Sequence, residues 1–98
     1  MKFLALEHEQ PDATADKFQR YAKEEARRVW ELYQVGVIRE LYFRGDRNEA
    51  VLVLECTSVS EAQEVLSTLP FIQNHLIAFE VIPLNAYPGF ERLFATNE

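Results

Sequence analysis

The 98-residue sequence predicts a single α+β domain in which two strand–helix–strand units follow one another. Four apolar segments bounded by Pro, Gly, Asp and Asn are separated by two segments of helical periodicity, in the order β-α-β-β-α-β. In this order both helices lie on one face of a four-stranded antiparallel sheet. The strands carry more apolar residues than two helices can cover, which predicts a homodimer that buries the other face.

The strands are predicted at four apolar segments, residues 2–8, 37–44, 49–56 and 75–83. A turn of Gly-Asp-Arg-Asn joins the second and third, so a hairpin that pairs Arg44 with Glu49 is the expected register. Side chains alternate between faces, and this register places Val37, Arg39, Leu41, Phe43, Ala50, Leu52, Leu54 and Cys56 on one face. The other face takes Ile38, Glu40, Tyr42, Arg44, Val51, Val53 and Glu55.

Two helices are predicted between these strands. The segment 12–34 contains neither Gly nor Pro, and Gly36 follows it as a C-terminal stop. A shorter helix begins at Ser58, which is followed three residues later by Glu61 in the spacing of a capping box, and it ends at Pro70. These elements complete the ferredoxin-like arrangement.

The composition is typical of one small soluble domain spanning residues 1–98, with residues 84–98 as a C-terminal extension. The net charge of −6 and the dispersed basic residues argue against nucleic-acid binding. No apolar run approaches the roughly 20 residues that span a bilayer, and no cleavable leader precedes the first strand, so we expect no membrane association and a cytoplasmic protein. The lone Cys56 is expected to be a small core residue.

Several short motifs occur in order between about residue 25 and residue 84: Gly36 with Arg39 and Leu41, Ser58-Val59, Leu69-Pro70, and Glu80-Val81 with Leu84. Their order and spacing resemble the muconolactone isomerase-like members of the dimeric α/β barrel superfamily. The resemblance implies that two sheets pack face to face into a barrel with the helices outside, and that small organic acids or aromatics bind in pockets near the sheet. Relatives in this superfamily include isomerases, cofactor-free monooxygenases and dehydratase-like proteins.

Glu25 is the first candidate catalytic residue. Projected on a helix, it falls in the middle of an apolar stripe formed by Phe18, Ala22, Val29, Leu32 and Tyr33. A carboxylate in that position needs a partner, a water-filled pocket or a raised pKa, and Arg39 is the best candidate partner. Glu25 would serve as a general acid/base next to a substrate carbonyl, with Arg39 binding a substrate carboxylate. The alternatives are a structural Glu25–Arg39 ion pair and a Glu25 that reaches solvent at the helix edge.

His8 is the second candidate catalytic residue. It ends the first strand and His75 begins the fourth, so the two imidazoles are expected at one end of the sheet. A metal site with Glu7 or Glu9 would be one use of this arrangement. The spacing matches no compact metal-binding motif, however, and we expect no metal.

Tyr42 and Glu80 are the remaining candidate substrate-binding residues. Each has a structural alternative, since Tyr42 could pack in a core or interface and Glu80 could pair across a dimer. No Ser-His-Asp set, phosphate-binding glycine loop or dinucleotide motif is present. Two function classes remain. The first, which the resemblance implies, is an enzyme that acts on a small molecule without a cofactor, by isomerase-like proton transfer or a monooxygenase-like reaction. The alternative is a non-catalytic homodimer, or higher oligomer, that binds a small ligand or a protein.

Overall fold

A computed structural model, which describes residues 1–94, confirms the predicted α+β fold. Its elements follow the chain as β1 (Lys2–Glu9), α1 (Ala15–Gln34), β2 (Ile38–Phe43), β3 (Ala50–Glu55), α2 (Val59–Leu66), α3 (Pro70–Gln73), β4 (Ile77–Leu84) and a 3-10 helix (Gly89–Leu93). The strands form one antiparallel sheet in the order β2-β3-β1-β4, with β1 and β3 at its centre. Within residues 1–94 no helix combines the length and apolar character that a membrane span requires.

The core lies between one face of the sheet and the helices. On that face Phe3 is paired with Leu54 and Ala5 with Leu52, and all four side chains are buried. Residues of α1 and α2 pack against them, and the buried cluster consists of Phe3, Ala5, Leu32, Ile38, Leu52, Leu54, Cys56, Ala62, Leu66 and Leu69. Burial of apolar surface at this single interface is the main stabilising contribution to the fold.

The ends of the helices are set by capping residues, and one of them differs from the predicted position. Helix α1 begins after Thr14, whose hydroxyl oxygen accepts a hydrogen bond from the Lys17 N–H, and not at residue 12. Gly36 ends it as predicted, with a φ of +83° that favours glycine. Ser58 caps α2 through the Glu61 N–H. Pro70 does more than stop α2, because it also opens the extra turn α3, where its missing N–H costs nothing.

The side chains of β2 are distributed differently from the prediction, because the pairing register shifts within this strand. The pairing of β2 with β3 is interrupted between Ile38 and Glu40, so that Ile38 lies opposite Leu54 and Leu41 lies opposite Leu52. Ile38 is therefore buried in the core instead of lying on the opposite face. A bulge adds one residue to one strand and changes the alternation on either side of it, which sequence periodicity alone does not reveal.

In the part of the chain that the structure describes, α1 and α2 pack on the core side of the sheet, and neither covers the other face. Side chains that point there are only partly buried, although most are apolar: Leu4, Leu6, Val51, Val53 and Ile82. Leu4, on the central strand β1, is flanked by Val53 and Ile82 and lies in the middle of this set. We call this side of the sheet the open face.

The molecule is elongated, and its C-terminal segment exposes large apolar side chains. The principal-axis extents are 64 × 29 × 20 Å, and the radius of gyration is 16.7 Å, larger than the roughly 13 Å typical of a compact chain of this size. Tyr87 packs edge-on against Phe90, but their side chains are 69% and 66% exposed, and those of Leu93 and Phe94 are 74% and 83% exposed. Such apolar exposure is typical of a surface that another molecule covers.

We expect deletion of residues 86–98 to weaken self-association more than it weakens the isolated fold. Because the large apolar side chains of the deleted segment up to residue 94 are mostly exposed in one chain, their removal takes little from the core. Sedimentation equilibrium, with thermal unfolding measured over a range of protein concentrations, would separate the two effects. An unchanged dissociation constant together with an unchanged melting temperature would contradict a contact between this segment and a partner subunit.

Candidate functional site

A cavity of about 1110 Å³ lies on the helix side of the sheet, between α1, the β2–β3 hairpin and α3. Its volume is slightly above the range of roughly 300–1,000 Å³ that is usual for small-molecule sites. Most of its wall is apolar and includes Phe18, Ala22, Ala26, Val29, Leu41, Phe43, Ala50, Leu52, Leu69, Phe71 and Phe79. Four carboxyl groups line the same space, from Glu7, Glu9, Glu25 and Glu49. The combination of apolar walls and a few ionisable groups is typical of a small-molecule binding site.

Among the four carboxyl groups of the cavity, Glu7 has the pKa that is raised furthest. It follows Phe3 and Ala5 on the core-facing side of β1 and lies opposite Phe79 on β4. Its pKa is raised from 4.5 to about 7. Burial is the largest cause, a hydrogen bond with the Ala50 backbone opposes it, and the neighbouring charges of Glu49, Glu25 and Glu9 add to it. Glu7 therefore exchanges its proton near neutral pH.

Glu25 lies across the same cavity on α1. Its Oε1 accepts a hydrogen bond of 2.9 Å from the backbone N–H of Phe71 in α3. The Phe71 ring packs edge-on against Phe18, with 5.1 Å between the ring centroids, and so holds α3 beside α1. Burial raises the pKa of Glu25, although the hydrogen bond from Phe71 opposes the shift. The sequence prediction of a perturbed carboxyl group in the apolar stripe is thus supported, with a backbone partner in place of a guanidinium.

Glu49 and Arg47 lie at the hairpin end of the cavity. Glu49 is 14% exposed, its Oε2 accepts a hydrogen bond of 3.1 Å from the Glu9 backbone N–H, and its Oε1 is buried without a hydrogen-bond partner. The Arg47 guanidinium is 3.8 Å from Glu49 and 3.9 Å from Asp46. The charge of Arg47 is therefore shared between two carboxylates that belong to the hairpin itself.

Arg39 does not pair with Glu25. Its Nε donates a hydrogen bond of 2.7 Å to the carbonyl oxygen of Gly36, next to the end of α1, and its side chain does not line the cavity. The reason is the register shift between Ile38 and Glu40, which removes Arg39 from the face that alternation had assigned to it. The expected Glu25–Arg39 ion pair is absent from the contacts within residues 1–94, and this interpretation was wrong.

His8 and Glu80 are brought together, but on the open face. The His8 Nε2 is 3.9 Å from the Glu80 carboxylate, and both side chains are more than half exposed. His8 and Glu25 therefore lie on opposite sides of the sheet. His75 is not beside His8, because Ala78 pairs with His8 and His75 lies in the turn after α3 with a φ of +59°.

Tyr42 is the one predicted substrate-binding residue that lines the cavity with Glu25. It pairs with Val51, whose side chain points to the open face, is 59% exposed, and donates a hydrogen bond of 2.8 Å to Glu40. Within residues 1–94 no three His, Cys, Asp or Glu side chains are close enough to hold a metal ion together. A second cavity of about 390 Å³, near α2 and β4, contains His75 but no carboxylate in its lining.

Sequence reasoning missed Glu7 and Glu49 as site residues. The signal for Glu7 was present, because Phe3, Ala5 and Glu7 alternate along one strand and the first two are core residues. No comparable signal marks Glu49, since its burial depends on how the hairpin end packs against β1. Together, Glu7 and Glu25 provide two carboxyl groups of raised pKa in one apolar cavity, an arrangement suited to general acid/base chemistry.

Comparison with protein families assigns the chain to a family. The family model for muconolactone delta-isomerase matches residues 1–89, a range that contains all four strands and every residue that lines the larger cavity. The chain belongs to the muconolactone delta-isomerase family. No curated protein sequence matches this family member significantly.

Two solved structures share the fold of this muconolactone delta-isomerase family member. A crystal structure of muconolactone isomerase has a TM-score of 0.74 and 22% sequence identity, with 90% of this chain and 92% of that chain covered. The 5-chloro-2-hydroxyhydroquinone dehydrochlorinase of Burkholderia phenoliruptrix AC1100, in complex with 2,5-dihydroxybenzoquinone, has a TM-score of 0.65 and 18% identity, with 91% and 98% covered. Identities this low establish a common fold and leave the substrate open.

Proposed function

We propose that this member of the muconolactone delta-isomerase family catalyses an isomerase-type proton transfer on a small cyclic molecule that carries a carbonyl group. The observation that carries the proposal is the pair Glu7 and Glu25, two carboxyl groups of raised pKa that line one large, mostly apolar cavity. A carboxyl group that titrates near the working pH is an effective proton shuttle, because both of its protonation states are populated.

In the proposed reaction Glu7, as the carboxylate, removes a proton from the carbon next to the carbonyl. The electron pair of the broken C–H bond moves onto the carbonyl oxygen, and the Glu25 carboxyl group in the same cavity is the second group available for proton transfer. Glu7 then delivers a proton to a different carbon of the conjugated system, either the one that it removed or one that has replaced it by exchange with solvent. No oxidant or reductant is consumed in this sequence, so a cofactor is not required for it.

We also propose that the chain works as a homodimer, with two open faces packed against each other. The apolar side chains of this face are partly exposed in one chain, and a face of this kind is normally buried by a partner. We expect an interface of roughly 2,000 Å² or more, the range of obligate dimers. His8 and Glu80 would then lie between the two sheets. The catalytic role predicted for His8 and the substrate-binding role predicted for Glu80 would belong to that interior and not to the cavity.

Hydrogen–deuterium exchange at carbon tests the proposed reaction even while the natural substrate is unidentified. In deuterated buffer, the wild-type chain should accelerate loss of the proton NMR signal next to the carbonyl of at least one compound in a panel of muconolactone, simple butenolides and cyclic enones. An acceleration of about 10²- to 10⁴-fold over buffer corresponds to the usual contribution of a positioned acid/base group. Tight binding of a panel member without any exchange would instead support a non-catalytic ligand-binding module.

A further inference from the structure

The charge of the cavity narrows the class of molecule that it accepts. Within residues 1–94 its lining supplies four carboxyl groups, from Glu7, Glu9, Glu25 and Glu49, and a single cationic side chain, that of Arg47. Arg47 is already close to the carboxylates of Glu49 and Asp46, so it has little positive charge to offer a ligand. An incoming carboxylate would meet repulsion from several directions, and the apolar walls would weaken the screening by water.

The same groups are well suited to hydroxyl donors. The buried Oε1 of Glu49 lies 3.8 Å from the Arg47 guanidinium but has no hydrogen-bond partner, and the Glu25 carboxyl group uses one oxygen for the Phe71 N–H, which leaves acceptor capacity on both. A ring hydroxyl can donate to such an oxygen at a smaller desolvation cost than a fully charged ammonium group would incur in a mostly apolar space. The aromatic walls, including Phe18, Phe71 and Phe79, provide surface for a flat ring.

We infer that this cavity selects an uncharged, hydroxyl-bearing ring and discriminates against the carboxylated form of the same ring. The inference rests on the proposed function only in taking the larger cavity as the ligand site, and it changes the expectation that small organic acids are the preferred ligands. The preference would come from the negative charges of Glu7 and Glu49, which both line the cavity, and not from any single hydrogen bond.

A matched pair of probes tests the selectivity. Resorcinol and 3,5-dihydroxybenzoate differ only by one carboxylate, and their dissociation constants can be measured with the full chain at pH 8 by isothermal titration calorimetry. We expect resorcinol to bind at least roughly tenfold more tightly, a difference of about 1.4 kcal/mol. Glu7→Gln and Glu49→Gln, which each remove one negative charge but keep the shape, should each narrow the ratio by roughly threefold or more. Glu64→Gln, an exposed change on α2 outside both cavities, should leave the ratio unchanged.

Equal or tighter binding of 3,5-dihydroxybenzoate would overturn the inference, as would failure of both probes to bind at millimolar concentration. A ratio that both cavity variants leave unchanged would overturn it too, because the discrimination would then arise elsewhere. If a variant fails to fold, the ratio of the two dissociation constants measured with the wild type still tests the inference. Since no turnover is measured, a preserved ratio without any carbon exchange would contradict only the proposed reaction.

Discussion

Replacement of Glu7 by Gln is expected to lower the rate of carbon–hydrogen exchange by about 10²- to 10⁴-fold, with the fold intact. Gln has nearly the shape of Glu, so the packing of β1 against Phe79 should persist while the exchangeable proton is lost. Circular dichroism and exchange kinetics on the same preparation would show both results. Exchange at the wild-type rate in a folded Glu7→Gln chain would exclude Glu7 as the proton shuttle.

The pH dependence of kcat/KM and of stability provides a second test of the role of Glu7. If Glu7 acts as the base, kcat/KM of the wild type should rise as the pH increases through about 7, where the carboxyl group loses its proton. Stability should change in the opposite direction. The raised pKa means that the folded chain holds the Glu7 proton more tightly than the unfolded chain, so the stabilisation is complete below pH 4.5 and is lost as the pH rises through about 7.

In Glu7→Gln both effects should disappear, and at pH 8 the variant should be more stable than the wild type by on the order of 1 to 2 kcal/mol after allowance for solvent screening. Glu25→Gln is the informative comparison, because its amide oxygen can still accept the hydrogen bond from Phe71. Because the variant keeps this hydrogen bond, its melting temperature should change little. Because it lacks the ionisable carboxyl group, the rate of carbon–hydrogen exchange should fall. Had an ion pair with Arg39 existed, the same change would have left a guanidinium unpaired and cost on the order of 3 to 5 kcal/mol.

A glutamate in place of Leu4 is expected to convert the proposed dimer to a monomer at micromolar concentration. Leu4 lies between Val53 and Ile82 in the middle of the open face, so in a symmetric dimer two uncompensated charges would be buried near each other. A penalty of roughly 4 kcal/mol would raise the dissociation constant about 10³-fold, which sedimentation velocity would detect.

Val59→Glu is the matched control for this change. Val59 is the first residue of α2 and is 39% exposed on the helix side, where a negative charge at a helix N-terminus is tolerated. The control should keep the wild-type dissociation constant and fold. A wild-type chain that sediments as a monomer at micromolar concentration, or a Leu4→Glu chain that dimerises as well as the control, would show that the open face is not the subunit interface.

The sheet, helices α1 and α2 and the hairpin were predictable because each depends on local periodicity or turn chemistry. Arg44 donates its backbone N–H to the Glu49 carbonyl, as the predicted register requires, and Gly36 ends α1. The candidate site was less predictable. Glu25 was found because a charge interrupts an apolar stripe, but its partner is the backbone of Phe71, and a backbone donor on a distant turn leaves no mark in the sequence.

The positions of Arg39 and His75 could not be predicted from the sequence either. The predicted position of each depended on strict alternation or on the exact first residue of a strand, and one extra residue is enough to move a side chain to the other face. The bulge beyond Ile38 moved Arg39, and the turn after α3 separated His75 from His8. Interpretations that depend on a single residue of register therefore fail more readily than those that depend on a whole stripe.

The elongated outline of the chain affects how its mass is measured. A particle 64 Å long and 20 to 29 Å across experiences more hydrodynamic drag than a sphere of 11.4 kDa. A monomer would consequently elute early from a gel-filtration column and resemble a compact dimer calibrated against globular standards. Light scattering coupled to the column, which reports mass without reference to shape, distinguishes one chain from two.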